Sequence, residues 1–189
     1  MKEKRPTKPV RLNLVEIART KGMDSPVVGH LWPTTGRIAL LSEVDEGLEL
    51  NGLTFMRKNQ IGSIKSSFSR RKFYSALLPR FVNRTLVRLR GSINSTNDWG
   101  QVTSWIQAHA VLVAVHCELA DPDICYVGLI VNSGAKLISL QPISSNGKWI
   151  TTNQLIELGS ISKIEVSNRY LRSFSRYINK RKMFKQRVR

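Results

Sequence analysis

Acidic residues and cysteines are scarce in this sequence. The 189-residue chain has 13 Asp and Glu against 30 Lys and Arg, which gives a formal net charge of +17 at neutral pH. Its two cysteines, Cys117 and Cys125, are too few for a disulfide framework. No apolar run approaches the roughly 18 residues of a membrane-spanning helix, and residues 1–10 lack the apolar stretch of a secretory signal. Since 41% of the residues are hydrophobic, we expect a folded cytoplasmic protein of one domain or two small ones.

Motifs of catalysis and nucleotide binding are also missing. The chain has no Gly-x-Ser-x-Gly elbow for a nucleophile, no Gly-x-x-x-x-Gly-Lys-Ser loop for phosphates and no Gly-x-Gly-x-x-Gly fingerprint for dinucleotides. His30 and His109 are isolated from any sequence neighbour that a catalytic base would activate. We therefore predict neither an enzyme nor a bound cofactor.

The one stretch that combines nucleophilic and metal-ligating residue types runs from His116 to Cys125. Its two sulfurs are eight positions apart with one neighbouring histidine, whereas zinc sites use closely paired ligands. On a strand, His116 and Cys117 would point to opposite faces and would not hold one ion together. We interpret residues 118–123 as a hairpin turn, with Cys117 and Cys125 as small residues on its two strands and no metal site.

The positive charge is concentrated in two blocks. Ten cations lie between Arg57 and Arg90, and no acid occurs between Glu49 and Asp98. Nine more lie between Arg169 and Arg189, again without an acid. A surface that only keeps a protein soluble normally mixes both signs of charge. Two acid-free blocks therefore favour an anionic partner.

The chain also shows signs of an internal repeat. Ile61-Gly-Ser-Ile64 resembles Ile161-Ser-Lys-Ile164, and a shift of 100 residues pairs apolar with apolar positions for about fifty residues without an insertion. Each copy contains four or five short apolar or alternating runs that are separated by turn residues and that we interpret as strands. They are residues 36–41, 48–50, 53–56 and 61–65 in the first copy, and 111–117, 126–131, 137–140, 149–152 and 161–166 in the second. Such short strands are typical of a small, strongly bent barrel.

A basic helix is predicted after each set of strands, over residues 69–78 and 168–178. Each has an apolar and aromatic stripe at helical spacing, which we interpret as a contact with the core rather than a platform for stacking. Residues 10–18 fit either a strand or a short helix. A further helix, capped by residues 95–97, is predicted between the copies.

These patterns predict a mainly β fold with short helices, in which two tandem small barrels are each followed by a basic helix. The predicted order is a basic N-terminal extension (1–25), the first barrel with its helix (26–94), a connector helix (95–110), the second barrel with its helix (111–178) and a basic C-terminal tail (179–189).

The pattern resembles the SH3-like and Sm-like small barrels. The second copy is also similar to uncharacterised bacterial proteins, through Trp105-Ile106, Val113-Ala-Val-His116, Asp121-Pro-Asp-Ile-Cys125-Tyr-Val-Gly128 and Gly147-Lys-Trp149. The resemblance covers residues 99–177 well and residues 27–78 weakly, and it implies a fold more than a function. Ring-forming Sm proteins that bind RNA carry an Asp-x-x-x-Asn motif that neither copy has at a matching place. The resemblance thus supports neither ring assembly nor uridine pockets here.

We predict a non-enzymatic nucleic-acid-binding protein, because clustered Lys and Arg neutralise phosphates and release counterions. RNA is favoured over DNA since no helix-turn-helix or zinc-finger spacing is present. The alternatives are a scaffold module for an acidic protein partner and association with anionic lipid. The residues predicted to contact nucleic acid are Arg70, Arg71, Lys72, Arg80, Arg84, Arg88, Arg90, Arg169, Arg172, Arg176, Lys180, Arg181, Lys182 and Lys185.

Overall fold

The fold is mainly β, with one antiparallel sheet and three short helices. It is seen in a computed structural model that describes residues 13–20, 26–78, 93, 97–109, 111–121 and 123–187, with the helical backbone alone for 179–187. Its ten strands are β1 Asn13–Arg19, β2 Val27–Trp32, β3 Ile38–Glu43, β4 Leu53–Arg57, β5 Ile61–Lys65, β6 Val113–His116, β7 Cys125–Ser133, β8 Leu137–Pro142, β9 Gln154–Glu157 and β10 Lys163–Val166. The helices are α1 Arg71–Leu77, α2 Trp99–His109 and α3 Arg169–Arg187, with a 3₁₀ turn at Lys58–Gln60.

The strands follow the order β5-β1-β2-β3-β4-β10-β6-β7-β8-β9. The five strands of the first half and the five of the second half are therefore arranged in the same way, with the last strand beside the first. The halves join where β4 pairs with β10. The sheet is open, because in the described residues β5 is paired neither with β9 nor with β4. A mainly β fold with short helices is confirmed, whereas the two tandem barrels are not.

Two glycines occupy the same place in the two halves. Gly29 of β2 lies opposite Val15 of β1, and Gly128 of β7 lies opposite Val113 of β6. A Cβ atom on either glycine would stand within 2.5 Å of a carbonyl oxygen of the next strand. Both strands thus use the lack of a side chain to let the neighbouring backbone approach.

The main core spans the junction between the halves. Leu40 and Phe55 of the first half, Val115 and Ile164 of the second half, and Trp99 of α2 are buried in one cluster. A smaller cluster lies inside the first half, and a third holds α3 against the second half. The junction is consequently a hydrophobic interior and not a linker between separate bodies.

Several elements differ from the predicted ones. β1 lies within the range assigned to the N-terminal extension, and it is paired on both sides, with β2 and β5. The predicted strand at residues 149–152 is replaced by a single bridge from Ile143 to Trp149, and β9 follows it. Asp98 caps α2, where its carboxylate accepts a hydrogen bond from the Gln101 amide. α3 continues into the range assigned to the C-terminal tail, as far as Arg187.

Candidate nucleic-acid interface

Helix α3 carries the second basic block and is fixed to the sheet over its first three turns. The Asn168 side chain caps it by accepting a hydrogen bond from the Leu171 amide at 2.8 Å. Leu171 and Ile178 are buried against Leu112 and Ile143 of the second half. These apolar positions lie seven residues apart, on one face of the helix.

The turn before Trp149 is shaped to receive the same helix. Gly147 has a φ of 73°, a left-handed conformation that side chains rarely adopt. A Cβ atom there would be 2.5 Å from the ring of Tyr177. Gly147 therefore lets Tyr177 pack directly on the turn, which holds Trp149 next to α3.

A groove of about 420 Å³ runs between α3 and the second half of the sheet. Trp149, Leu112 and Leu129 contribute apolar surface, while Arg172 and Arg176 contribute the charge. Both arginines are exposed, and Trp149 is half-buried. Arg172 donates a hydrogen bond to the Ser167 carbonyl at 3.0 Å, which orients its guanidinium. None of the residues that line the groove is acidic.

The remaining cations of this block follow the helix. The Arg169 side chain is exposed at the first turn, where its amide donates to the Asn51 side chain of the first half. With about 1.5 Å of rise per residue, the 19-residue helix is about 28 Å long. The block is therefore distributed along about 28 Å of helix. The predicted Lys180, Arg181, Lys182 and Lys185 belong to this described backbone.

The first basic block is described only in part. Arg70, Arg71 and Lys72 are exposed at the start of α1, and Arg71 donates a hydrogen bond to the Ser66 carbonyl. α1 contacts β1, so this group lies on the first half whereas α3 packs on the second. The predicted Arg80, Arg84, Arg88 and Arg90 lie outside the described residues.

The two aromatic stripes make the predicted core contacts only in part, since Leu78 after α1 and Leu171, Phe174 and Ile178 of α3 pack inward. In α1 no residue is buried, and Phe73 and Leu77 are more than half exposed. In α3, Leu171 and Ile178 are buried, whereas Tyr170 and Tyr177 are exposed. Exposed rings thus stand beside exposed cations on both helices.

Arg57 belongs to the first basic block by sequence but serves the junction. Its side chain donates to the carbonyls of Leu158, Ile161 and Gly159 at 2.6, 2.8 and 3.2 Å, and it lies over the Trp99 ring. Burial lowers the pKa of this guanidinium. Because Arg57 donates its hydrogen bonds to carbonyls of the second half, it stabilises the junction and is not a free surface cation.

A second anchor of the junction is an ion pair between Arg19 of β1 and Glu118. The two side chains form a bidentate pair and are only 4% and 8% exposed. Burial alone would raise the pKa of Glu118, but hydrogen bonds from Arg19 and Ser162 hold it at about 2. The pair links the first strand of one half to the β6–β7 turn of the other.

His116 lies beside this pair in a network of charged side chains. Its Nε2 atom is 3.1 Å from a Glu165 oxygen and 3.7 Å from the Cys125 sulfur, and Lys163 Nζ is 2.9 Å from the same Glu165 oxygen. Burial alone would lower the pKa of His116, but Cys125 and Glu165 raise it to about 9. Burial alone would raise the pKa of Glu165, but the interactions with His116 and Lys163 lower it to about 2.

The geometry of His116 does not match a catalytic relay. In a nucleophile–histidine–acid relay the nucleophile and the acid contact different ring nitrogens. Here the sulfur and the carboxylate both approach Nε2, which has one proton to donate. Cys117 is buried on the other face, and burial raises the pKa of its thiol. Among the described residues no group of three His, Cys, Asp or Glu side chains could hold a metal ion.

Trp149 is the site residue that the sequence did not reveal. It follows the Gly147 turn in a segment that we interpreted as the start of a strand. An aromatic residue next to a turn is ordinary in sequence, and its place beside Arg172 and Arg176 depends on how α3 docks. The glycine two residues before it was the one available signal of a close approach.

The chain has no match among family models, curated proteins or solved structures. In the part of the chain that the structure describes, no helix is long and apolar enough to cross a membrane.

Proposed function

We propose that this is a non-enzymatic nucleic-acid-binding protein that uses its two basic blocks and prefers RNA to DNA. The observation that carries the proposal is the groove beside α3, where the half-buried Trp149 lies next to two exposed arginines and no acid. The repeated strand order supports the related proposal of two tandem SH3-like or Sm-like units.

The arginines suit the phosphates of a nucleic acid. A guanidinium presents a planar fork of donors that matches phosphate oxygens, and it remains charged at all physiological pH values. Arg172 and Arg176 are one helical turn apart, which is about 6 Å along the axis. Together with Arg169 they form a row that can follow a backbone along α3.

Trp149 and the exposed rings favour a single strand over a duplex. An unpaired base can enter a groove and stack on an aromatic ring, which contributes about 1–3 kcal/mol per base. Bases in a duplex are already stacked on one another and would offer only their edges and the phosphates. Single-stranded loops are the usual targets of proteins that recognise RNA.

The exposed cations of α1 would extend the binding surface to the first half. Arg70, Arg71 and Lys72 stand at the start of α1 beside the exposed Phe73 ring. Because they are far apart in the sequence and on different halves, the two blocks would engage separate stretches of one strand. The affinity should then depend on the length of the nucleic acid.

Salt dependence tests the proposal directly. Binding of nuclease-treated protein to single-stranded RNA, single-stranded DNA and duplex DNA should be compared by gel shift at two salt concentrations. If some five phosphates are engaged, the log–log slope against salt should be about −4. Affinity that is absent at low salt, or that does not change with salt, contradicts the proposal.

Charge-matched variants locate the site. Arg172→Gln with Arg176→Gln should reduce the magnitude of the salt slope by roughly 1.5 and weaken binding to every sequence alike. The control is Arg37→Gln with Lys136→Gln, which removes two exposed cations away from the groove. Equal losses in both double variants would show that only net charge matters.

A pull-down tests the scaffold alternative. A partner protein that is retained after nuclease treatment would favour a scaffold module over nucleic-acid binding.

A further inference from the structure

The two end strands of the sheet are the counterparts of the two strands that pair at the junction. β4 and β10 pair at the junction. β9 holds in the second half the position that β4 holds in the first, and β5 holds in the first half the position that β10 holds in the second. β5 and β9 are the end strands, and each has one free edge among the described residues. One chain therefore presents, at its ends, the same two edges that it joins in its middle.

The strand registers define which residues correspond. Gly29 and Gly128 mark the same position, so that Ile17 corresponds to Val115. Ile17 faces Ile64 and Val115 faces Ile164, which makes Ile64 the counterpart of Ile164.

The other edge is aligned in the same way. From the glycines, Leu41 of β3 corresponds to Leu140 of β8. Leu41 faces Thr54 and Leu140 faces Gln154, so the next residues, Phe55 and Leu155, are counterparts as well.

The burial of these residues contrasts between the junction and the ends. At the junction Ile164 lies opposite Phe55, and both side chains are fully buried. Their counterparts at the ends are open to solvent, with Ile64 48% and Leu155 64% exposed. Exposed apolar residues on a free strand edge favour pairing with another strand.

A groove lies beside β5, at the place where a strand paired with β5 would insert the side chain that corresponds to Phe55. The groove has a volume of about 640 Å³ and is lined by Leu31, Ala39, Ile61 and Ile64, among others. In the second half the counterparts of these residues pack in one cluster with Phe55. The counterpart of Phe55 is Leu155, which no other strand covers in the described part of the chain.

We propose that copies of this chain assemble head to tail, with β9 of one copy paired antiparallel to β5 of the next. The register of the junction places Leu155 opposite Ile64 of the next copy, and Gln154 opposite Lys65 of the next copy. No like charges face each other in this pairing. The contact joins two different edges, so it is repeated from copy to copy and yields a closed ring or a filament.

The mass of the protein in solution tests the assembly. Nuclease-treated protein should be measured by light scattering at moderate salt, because the charge of +17 makes copies repel one another at low salt. We expect a mass of several chains that falls to one chain in Ile64→Asp and in Leu155→Asp. Leu119→Asp is the matched control, since Leu119 is 47% exposed and lies on neither edge. Circular dichroism verifies that each variant is folded.

Mixing the two edge variants distinguishes head-to-tail pairing from other contacts. Ile64→Asp retains an intact β9 edge and Leu155→Asp an intact β5 edge, so the mixture should form dimers and nothing larger. A wild-type protein that stays monomeric at all concentrations overturns the proposal. Assembly of Ile64→Asp by itself also overturns it, because this would require a symmetric or unrelated interface.

A disulfide tests the register. In a Cys125→Ser background, Ile64→Cys with Leu155→Cys should form chains linked between copies that are visible on a non-reducing gel. Lys65→Cys with Leu155→Cys places the sulfurs on opposite faces of the paired strands and should link poorly. Equal linkage of the two pairs contradicts the register.

Discussion

At the scale of single residues, the cations of this chain have two different roles that sequence does not separate. Arg172 and Arg176 are exposed beside a groove, whereas Arg19 and Arg57 hold the halves of the sheet together. A count of charge treats these four arginines alike, and it places Arg57, Arg172 and Arg176 in the two basic blocks. Burial and hydrogen-bond partners show that the junction depends on some of them.

Removal of the Glu118 charge should destabilise the fold. In Glu118→Gln the buried Arg19 guanidinium loses its carboxylate, and loss of one partner from a buried ion pair typically reduces stability by about 3–5 kcal/mol. Urea unfolding measures the change. Glu46→Gln is the control, because Glu46 is exposed in a turn and should change stability by less than about 0.5 kcal/mol. A similar effect of the two variants would show that the ion pair contributes nothing.

The network around His116 should make stability depend on pH at both extremes. The pKa of His116 is raised to about 9, so its contribution is complete below about 6.5 and is lost as the pH rises through 9. The pKa values of Glu118 and Glu165 are lowered to about 2, so their contribution is present above about 4.5 and is lost as the pH falls towards 2.

Urea unfolding at a series of pH values checks this dependence. A pKa shift from 6.5 to about 9, or from 4.5 to about 2, corresponds to a contribution on the order of 3 kcal/mol from each group. His116→Asn should flatten the decline above neutral pH and leave the acid decline to Glu118 and to Glu165, which retains its ion pair with Lys163. An unchanged alkaline decline in this variant would assign it to another group.

At the scale of elements, local patterns predicted the strands whose residues carry strong signals. β3, β4 and β5 lie within one residue or two of their predicted positions, because short apolar runs bounded by turns have few other solutions. The sequence does not decide between a strand and a helix for β1, since residues 10–18 satisfy the spacing of both. The pairing of β4 with β10 has no local signal, because it joins residues about a hundred positions apart.

The docking of α3 depends on one glycine. Gly147→Ala should reduce stability by about 1–3 kcal/mol, because alanine is strained at a φ of 73° and its Cβ atom would collide with Tyr177. Thermal unfolding measures the loss, and the variant should also weaken the proposed RNA binding by displacing Trp149. Gly159→Ala is the control, since a Cβ atom there meets nothing within 4 Å. Equal stability of the two variants would exclude the proposed role of Gly147.

At the scale of the whole molecule, the sequence shows the charge of +17 and an apolar pattern that recurs after 100 residues, but it does not show how the strands are ordered in the sheet. The second basic block extends along a helix of about 28 Å. Only the structure shows that the two halves share one sheet and one core. The candidate groove forms only where α3 docks on the second half of the sheet. Residue patterns could therefore indicate the charges of the groove, but they could not place Trp149 in it.

The junction has a consequence for synthesis of the chain. Phe55 and Leu53 of β4 are buried with Val166 and Ile164 of β10, which the ribosome adds about a hundred residues later. Until then, one edge and one apolar face of the first half remain uncovered, and nascent chains in this state are prone to associate with each other. Between the synthesis of β4 and that of β10, a growing chain is therefore prone to association through this uncovered face.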